Sequence, residues 1–503
     1  MTLIVVGLGL LAAGHAAAAS RPDLTLVSTS GIPHHDVADY TTLPSWRPGL
    51  PTGLNASWRA ALDVAIGQIA SEDPDAVFHT GDMGGGRWGR DPDATGLFGP
   101  VGTWAQRRRA IERAAALYYK QNKQWWRRHG LNPYFGVGDH EVGDVGSSGV
   151  IARGGSHYAM FPTWRRAWAK AFTDDGAKFA SHPPGQHRRT AYATMIDDVG
   201  FVTLDPFMRR EGAVYTRIGW RQLHWLDDVL GDLRNRGARF LIVQCETPAL
   251  GPNRRSRTSG LLLDNGDMVW QVLRDNGVDL FLTSEFHEMT THSDAGTTPV
   301  QVVHGGQLYR GTMSYLVIET FPDRMELQLK RVYGRQTGTG RIWAPRYQRA
   351  PDGVRMYRGA RTVGTMTIHR DGSLSDRSGY LRDGLSPVAA DTGPRPADPK
   401  AIGSAQRPAE IGTPQPSPAP ATAQPSAAPE RATSPATSER DAVPPPFVAP
   451  KGATPPARPT ALWGPPPFAE RPETPAGRIP TSPHERPVGH QSDGQGRPPT
   501  RSG

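Results

Sequence analysis

The sequence predicts an α/β fold. Short apolar runs recur along the chain and read as buried strands, and between them lie longer stretches with apolar residues at helical spacing. Several of the strand-like runs also end on a carboxylate or an imidazole. In an open α/β sheet, the carboxyl ends of strands are where ligands sit. The clearest case is Tyr134-Phe-Gly-Val-Gly-Asp-His-Glu-Val-Gly143, in which Tyr134, Phe135 and Val137 form the strand and Gly138 turns the chain. Asp139, His140 and Glu141 are then expected to stand exposed at the strand's end.

The elements follow in order. Asp23 to Ser28 alternates as a strand and ends at Thr29-Ser30-Gly31. Trp58, Leu62, Ile66 and Ile69 mark a helix, with Asn55 or Ser57 as its N-cap. Ala76-Val77-Phe78 is a strand with Gly81-Asp82 at its end. A Gly-rich loop leads to a helix through Ile111, Leu117 and Tyr118, closed by Gly130 and Pro133. The opening strand follows, then a long mixed insertion from about Asp144 to Arg189. Ala191 to Ile196 and Phe201 to Leu204 read as a hairpin. Leu223, Leu226, Leu230 and Leu233 make an amphipathic helix before the strand Phe240 to Val243, which runs into Cys245-Glu246-Thr247-Pro248. A helix from about Met268 to Asp275, with Gly277 beyond its end, precedes the strand Val278 to Leu282 and Ser284-Glu285-Phe286-His287. Strands over Gln301–His304, Tyr315–Thr320 and Arg324–Val332 close the sheets, and Thr365 to Ser375 makes a hairpin turning at Asp371-Gly372.

The chain's 503 residues exceed what one ordinary core needs, so two or more regions are expected. Its formal charge of +9 favours solubility and attracts anions, but the basic residues are dispersed and no nucleic-acid partner is expected. Arg107-Arg108-Arg109 reads as a solvated helix face. Trp125, Trp126, Trp164 and Trp168 read as core. Leu3 to Ala13 with Ala16–Ala19 has the character of a secretory signal peptide cleaved near Ala19, though it lacks a basic start and is short for a spanning helix. The lone cysteine, Cys245, excludes an intramolecular disulfide. From about Ser386 the composition shifts to Pro, Ala, Ser and Thr without apolar periodicity, the mark of a disordered tail. Expected boundaries are a signal peptide over 1–20, a main domain over 21–340, an extension over 341–385 and the tail over 386–503, a candidate cell-wall spacer.

The ordered strand ends resemble the calcineurin-like metallophosphoesterases, especially the purple-acid-phosphatase-like branch. That family's blocks are Asp-x-His, Gly-Asp, Gly-Asn-His-Glu/Asp, a His before x-Pro, and Gly-His-x-His. Gly81-Asp82 matches the second block, and Gly138-Asp139-His140-Glu141 matches the third with Asp for Asn. Glu246 stands at the fourth block's His, and Ser284-Glu285 replaces Gly-His ahead of the retained His287. In the first block, Thr29-Ser30-Gly31 carries neither ligand. The resemblance spans residues 24 to 335 and implies two packed mixed β-sheets flanked by helices.

The resemblance further implies that Asp82 bridges two metals, that Asp139, Glu246 and Glu285 hold one of them, and that His287 belongs to the other. His140 would contact phosphate or protonate the leaving oxygen. The replacements convert one metal's mixed donor set to oxygen only, which suits Mn²⁺, Mg²⁺ or Ca²⁺ better than Zn²⁺. Four converging carboxylates need positive charge, from one or two metal ions or from an arginine such as Arg210 or Arg254. His34, His35 or Asp36 could loop back to the second metal, but His34 and His35 are read here as structural or surface residues. Taken singly, Asp82 also fits a turn or cap, His140 a satisfied loop histidine, and Glu246 and Glu285 solvated strand-end charges. The expected function is exported, metal-dependent hydrolysis of a phosphate mono- or diester. The alternative is a catalytically inactive relative that binds at the cell surface.

Overall fold

The computed structural model describes residues 21–382 except 91, 94, 145–149, 152–154, 174–178, 180, 252–260, 307–310 and 339–352. The expected signal peptide, the tail and Arg254 lie outside the described residues. All described residues belong to the first of two units, Met1–Arg407.

In chain order the first elements are β1 (Leu24–Thr29), α1 (Ala56–Ala70), β2 (Ala76–His79), α2 (Trp104–Arg128), β3 (Tyr134–Phe135), β4 (Val150–Ile151) and α3 (Gly155–Phe172). Next come β5 (Tyr192–Ile196), β6 (Val199–Thr203), β7 (Phe207–Arg210), β8 (Ala213–Thr216), α4 (Trp220–Asn235), β9 (Phe240–Gln244), α5 (Gly266–Asp275) and β10 (Leu280–Thr283). The last are β11 (Met289–Asp294), β12 (Thr297–His304), β13 (Thr312–Thr320), β14 (Arg324–Gly338), β15 (Gly353–His369) and β16 (Leu374–Ser375). They build a seven-stranded sheet, β16-β15-β14-β13-β1-β2-β3, a six-stranded sheet, β11-β12-β10-β9-β6-β5, and a three-stranded sheet, β4-β8-β7. Both large sheets are mixed: β1, β2 and β3 are mutually parallel, as are β6, β9, β10 and β12, while the outer strands run antiparallel.

The two large sheets pack face to face. Phe78 of β2 stacks on Phe201 of β6 with ring centroids 4.1 Å apart and planes 7° from parallel. The period of two along β9 decides which side chain goes where. Phe240 and Ile242 enter the core between the sheets, while Leu241 and Val243 join α4 and α5 on the outer face. There Leu223, Leu226, Leu230 and Leu233 supply the buried stripe of α4. On the other large sheet, α1 buries Trp58, Leu62, Ile66 and Ile69. Asn55 is its N-cap, its side chain accepting the Trp58 N–H at 3.0 Å.

Two segments depart from expectation. The insertion after Asp144 holds the helix α3, whose Met160, Phe161, Trp164 and Trp168 are buried. Its period is masked in sequence by Pro162 within the helix and by the adjacent pair Arg165-Arg166. Arg165 is buried too, because Asp205 pairs with it. The second departure is β15, which begins at Gly353, well before the hairpin read over Thr365–Ser375. Register shifts in its pairing with β14 break the simple alternation that would have announced it. Although these strands fall in the expected 341–385 extension, β15 and β16 complete the seven-stranded sheet.

Candidate metal centre

Because β1, β2 and β3 run parallel, and β9 runs parallel to β10, their carboxyl ends deliver successive loops to one place. Backbone bonds tie these loops together. The Gly31 N–H donates to the Gly81 carbonyl at 3.1 Å, and the Ser284 and Glu285 N–H groups donate to the Glu246 carbonyl at 3.0 and 3.2 Å. Across the two sheets, the Thr80 hydroxyl donates to Ser284 Oγ at 2.8 Å.

The structure brings Asp82, Asp139, Glu246 and Glu285 together, with one oxygen from each lying within 4.8 Å of all the others. Their relative exposures are 2%, 5%, 0% and 5%, so the carboxylates lie inside the protein and not on a solvated rim. Burial, followed by the charge of Asp139, pushes the Asp82 carboxyl well above the usual carboxylate range. Asp139 and Glu246 are raised in the same direction, by burial first and then by Glu285. Among the described residues, neither Asp82, Asp139 nor Glu246 forms an ion pair with Arg or Lys. Arg210 pairs instead with Glu211 at the surface, 2.8 Å away. Asp82 Oδ1, Asp139 Oδ1 and Glu246 Oε1 are buried without a hydrogen-bond partner. Uncompensated carboxylate oxygens facing one another are costly unless a cation lies among them. The donor set therefore fits a divalent cation, and its all-oxygen chemistry suits a hard one.

A second group shares Asp82. Ligand atoms of His34, Asp82 and His140 also lie within 4.8 Å of one another. His34 Nδ1 is 3.7 Å from Asp82 Oδ2, and the His34 ring lies 4.5 Å from that of His140. His34 is therefore not a surface residue, and it stands where a loop returning toward a second metal would bring it. It is 5% exposed and enters the centre through the loop after β1, just beyond Thr29 and Gly31, where the resembled first block would have carried its ligands. His35 does behave structurally, stacking on Trp58 at 6.0 Å, and Asp36 accepts from Gly85 N–H and the Trp88 indole. His287 stands beside His34, ring centroids 5.1 Å apart, and belongs to none of the ligand groups. Asp139, His140 and Asp144 form a further potential group.

Asp82, His34 and His287 adopt φ of 64°, 53° and 53°. Left-handed backbone at non-glycine residues costs energy and clusters at functional sites.

Glu141 and Asp139, expected to stand exposed, are buried, and Glu141 is only 1% exposed. Its carboxylate accepts the N–H groups of Asp82 at 2.7 Å, Met83 at 2.8 Å and Gly138 at 2.9 Å. Glu141 is thus the brace that joins the β2 and β3 loops, and it is not a ligand. The glycines before the two aspartates have a packing reason. A Cβ on Gly81 would overlap the Gly138 backbone, and one on Gly138 would overlap Asp82 Oδ1.

No protein-family model and no curated protein matches the chain. Among solved structures, it is similar to one described as the structure of PhoD, at 15% identity and TM-score 0.43 over 73% of this chain and 74% of that one. A dimetal phosphatase from Danio rerio follows at 13% identity and TM-score 0.35, over 61% of this chain and 96% of that one. A purple acid phosphatase from yellow lupin seeds has 13% identity and TM-score 0.36, over 61% of this chain and 51% of that one. At such scores the functional reading rests on the geometry of the centre itself.

Proposed function

We propose that this protein is a divalent-metal-dependent phosphoesterase that hydrolyses a phosphate mono- or diester at the Asp82 centre. The observation that carries the reading is the set of four buried carboxylates, of which Asp82, Asp139 and Glu246 each keep an oxygen without a hydrogen-bond partner, beside three imidazoles. Asp82, Asp139, Glu246 and Glu285 would hold a cation, with Mn²⁺, Mg²⁺ or Ca²⁺ favoured over Zn²⁺. Asp82, His34 and His140 offer room for a second. Divalent ions bound there would supply Lewis acidity toward phosphoryl oxygen and lower the pKa of bound water.

The chain's own residues do the rest. Asp82 is common to both ligand groups and fixes their spacing. Glu141 holds the two loops in register through three backbone N–H groups. His140 is partly exposed, with Nε2 3.7 Å from Asp139 Oδ1, a position suited to contacting phosphate or giving a proton to the leaving oxygen. His287 lies beside His34 and would line the same rim.

A second reading, an inactive relative that only binds, is favoured by one observation. The end of β1 offers Thr29 where the resembled pattern has a carboxylate, and Thr29 Oγ1 is buried with no hydrogen-bond partner. Hydrolysis of p-nitrophenyl phosphate and bis(p-nitrophenyl) phosphate in Mn²⁺, Mg²⁺, Ca²⁺ and Zn²⁺ separates the two. Turnover that is lost in Asp82→Asn supports the esterase; metal bound without hydrolysis of either ester supports the binding protein. We further propose export, on the strength of Leu3–Ala13 and Ala16–Ala19, with the tail as a surface spacer. N-terminal sequencing of extracellular protein should begin at Ser20 or Arg21, and full-length chain confined to the cytosol would refute it.

A further inference from the structure

A cleft of about 690 Å³ lies between α2 and α3. Lys120, Lys123 and Arg127 line it from α2, Arg166 and Lys170 from α3, and Arg189 from the following segment. Glu112 is its only acidic lining residue among those described. Ala115, Ala167 and Ala171 form a floor of small side chains with Tyr119, so the cationic arms rise around an apolar trough.

The charge arrangement works against the helices that carry it. Residues three and four apart on a helix are neighbours, and like charges there are destabilising. Lys120, Lys123 and Arg127 have that spacing on α2, and Arg166 and Lys170 have it on α3. Among the described residues, Lys120, Arg127, Arg166 and Lys170 form no ion pair. Lys123 lies over Phe172, 5.7 Å from the ring centroid, and donates to the Ala171 carbonyl at 2.5 Å. Solvation of dispersed surface cations does not require them to converge on one concavity, whereas binding an anion does.

We propose that the α2–α3 cleft binds a linear polyanion bearing successive phosphate groups. Charge complementarity selects the ligand. Cations on opposite walls, repeating about every 5.4 Å along each helix, match a chain of anions and oversupply a single one. Concavity disfavours a membrane surface, which would engage a convex face with exposed large apolar side chains. The same phosphate chain chemistry occurs in inorganic polyphosphate and in the backbone of single-stranded nucleic acid. This inference is independent of the metal centre, since no cleft residue belongs to it.

The test is direct binding with the full chain in EDTA, measured by fluorescence anisotropy at several salt concentrations. The probes are labelled polyphosphate, a 20-nucleotide oligothymidylate, and vesicles of anionic phospholipid. The expected result is salt-sensitive binding of the phosphate chains, weakened at least tenfold in Lys120→Gln/Arg127→Gln/Arg166→Gln/Lys170→Gln. The slope of log K against log salt should also shrink by about 3 in that variant. Polyphosphate bound as well as the oligonucleotide identifies the bare chain as sufficient; a clear preference for the oligonucleotide adds base contacts within the same proposal. All four side chains are exposed, and circular dichroism with unchanged hydrolysis of small esters would verify the fold. Equal weakening by Arg108→Gln/Arg109→Gln/Arg128→Gln, outside the cleft lining, would overturn the proposal in favour of diffuse attraction. So would binding to vesicles alone, or to none of the three probes.

Discussion

Glu141 accepts the backbone N–H of Asp82 at 2.7 Å, so a residue outside the ligand groups sets where the shared ligand stands. Its remaining bonds, to Met83 and Gly138 N–H, make it a charged acceptor for three donors in a buried place. Glu141→Ala strands all three donors and should cost about 3 kcal/mol or more in chemical denaturation, given roughly 1–3 kcal/mol for each buried group left unsatisfied. Divalent-metal affinity should fall about 10–100-fold, as for other groups that orient ligands. A variant with unchanged stability and affinity would show that the brace is dispensable.

Gly138→Ala tests the close approach of the β2 and β3 loops. The added methyl would overlap Asp82 Oδ1 and the Asp82 backbone nitrogen and press on Glu141 Oε2, so it disturbs the shared aspartate together with its brace. The expectation is at least tenfold weaker Mn²⁺ binding by calorimetry, with circular dichroism unchanged. Unaltered affinity would mean that Asp82 does not need its present orientation.

His34 and His35 are neighbours with opposite expected roles. His34→Ala should lower the manganese content of loaded protein, because His34 reaches Asp82 and His140. His35→Ala should lower thermal stability and leave the metal content alone, because its ring packs on Trp58. Elemental analysis paired with thermal unfolding reads both. The reverse pattern would return His34 to a structural role.

The fold was largely legible because its signals are local. Alternation marked β1, unbroken apolar runs marked β9 and β10, and helical spacing marked α1 and α4, so four of the strand ends could be placed from sequence. The candidate site was legible where a Gly-Asp turn directly follows a strand, as at Asp82 and Asp139. His34 was not, because it arrives from an irregular loop whose path depends on contacts such as Gly31 to Gly81. Glu141 looked like a third polar residue on an exposed strand end, since sequence carries no sign that three backbone N–H groups converge on it. The helix α3 was hidden by Pro162 and by a buried Arg165, whose partner Asp205 lies forty positions away in the chain.

Acid should reveal the buried histidines. Burial pushes His79 and His304 down to about 3, and for His79 the charge of His304 acts in the same direction. Between that value and about 6.5 the unfolded chain binds more protons than the native one. Their contribution to stability is therefore present above about pH 6.5 and is lost as pH falls below it. The raised carboxylates of the centre act in the opposite sense, so the comparison must be made between variants. His304→Gln should flatten the acid loss in metal-free protein by on the order of 2 kcal/mol at pH 4.5. An acid limb identical to that of the wild type would contradict the assignment.

The central claim is that the buried carboxylates form a cation site organised by Asp82. The most direct measurement is elemental analysis, with calorimetric titration, of wild type and Asp82→Asn at millimolar Mn²⁺, Mg²⁺ or Ca²⁺. The expected result is one or two ions per wild-type chain, with Mn²⁺ or Mg²⁺ preferred to Zn²⁺, and loss of that binding in Asp82→Asn. A wild-type protein that binds no divalent ion under these conditions would contradict it.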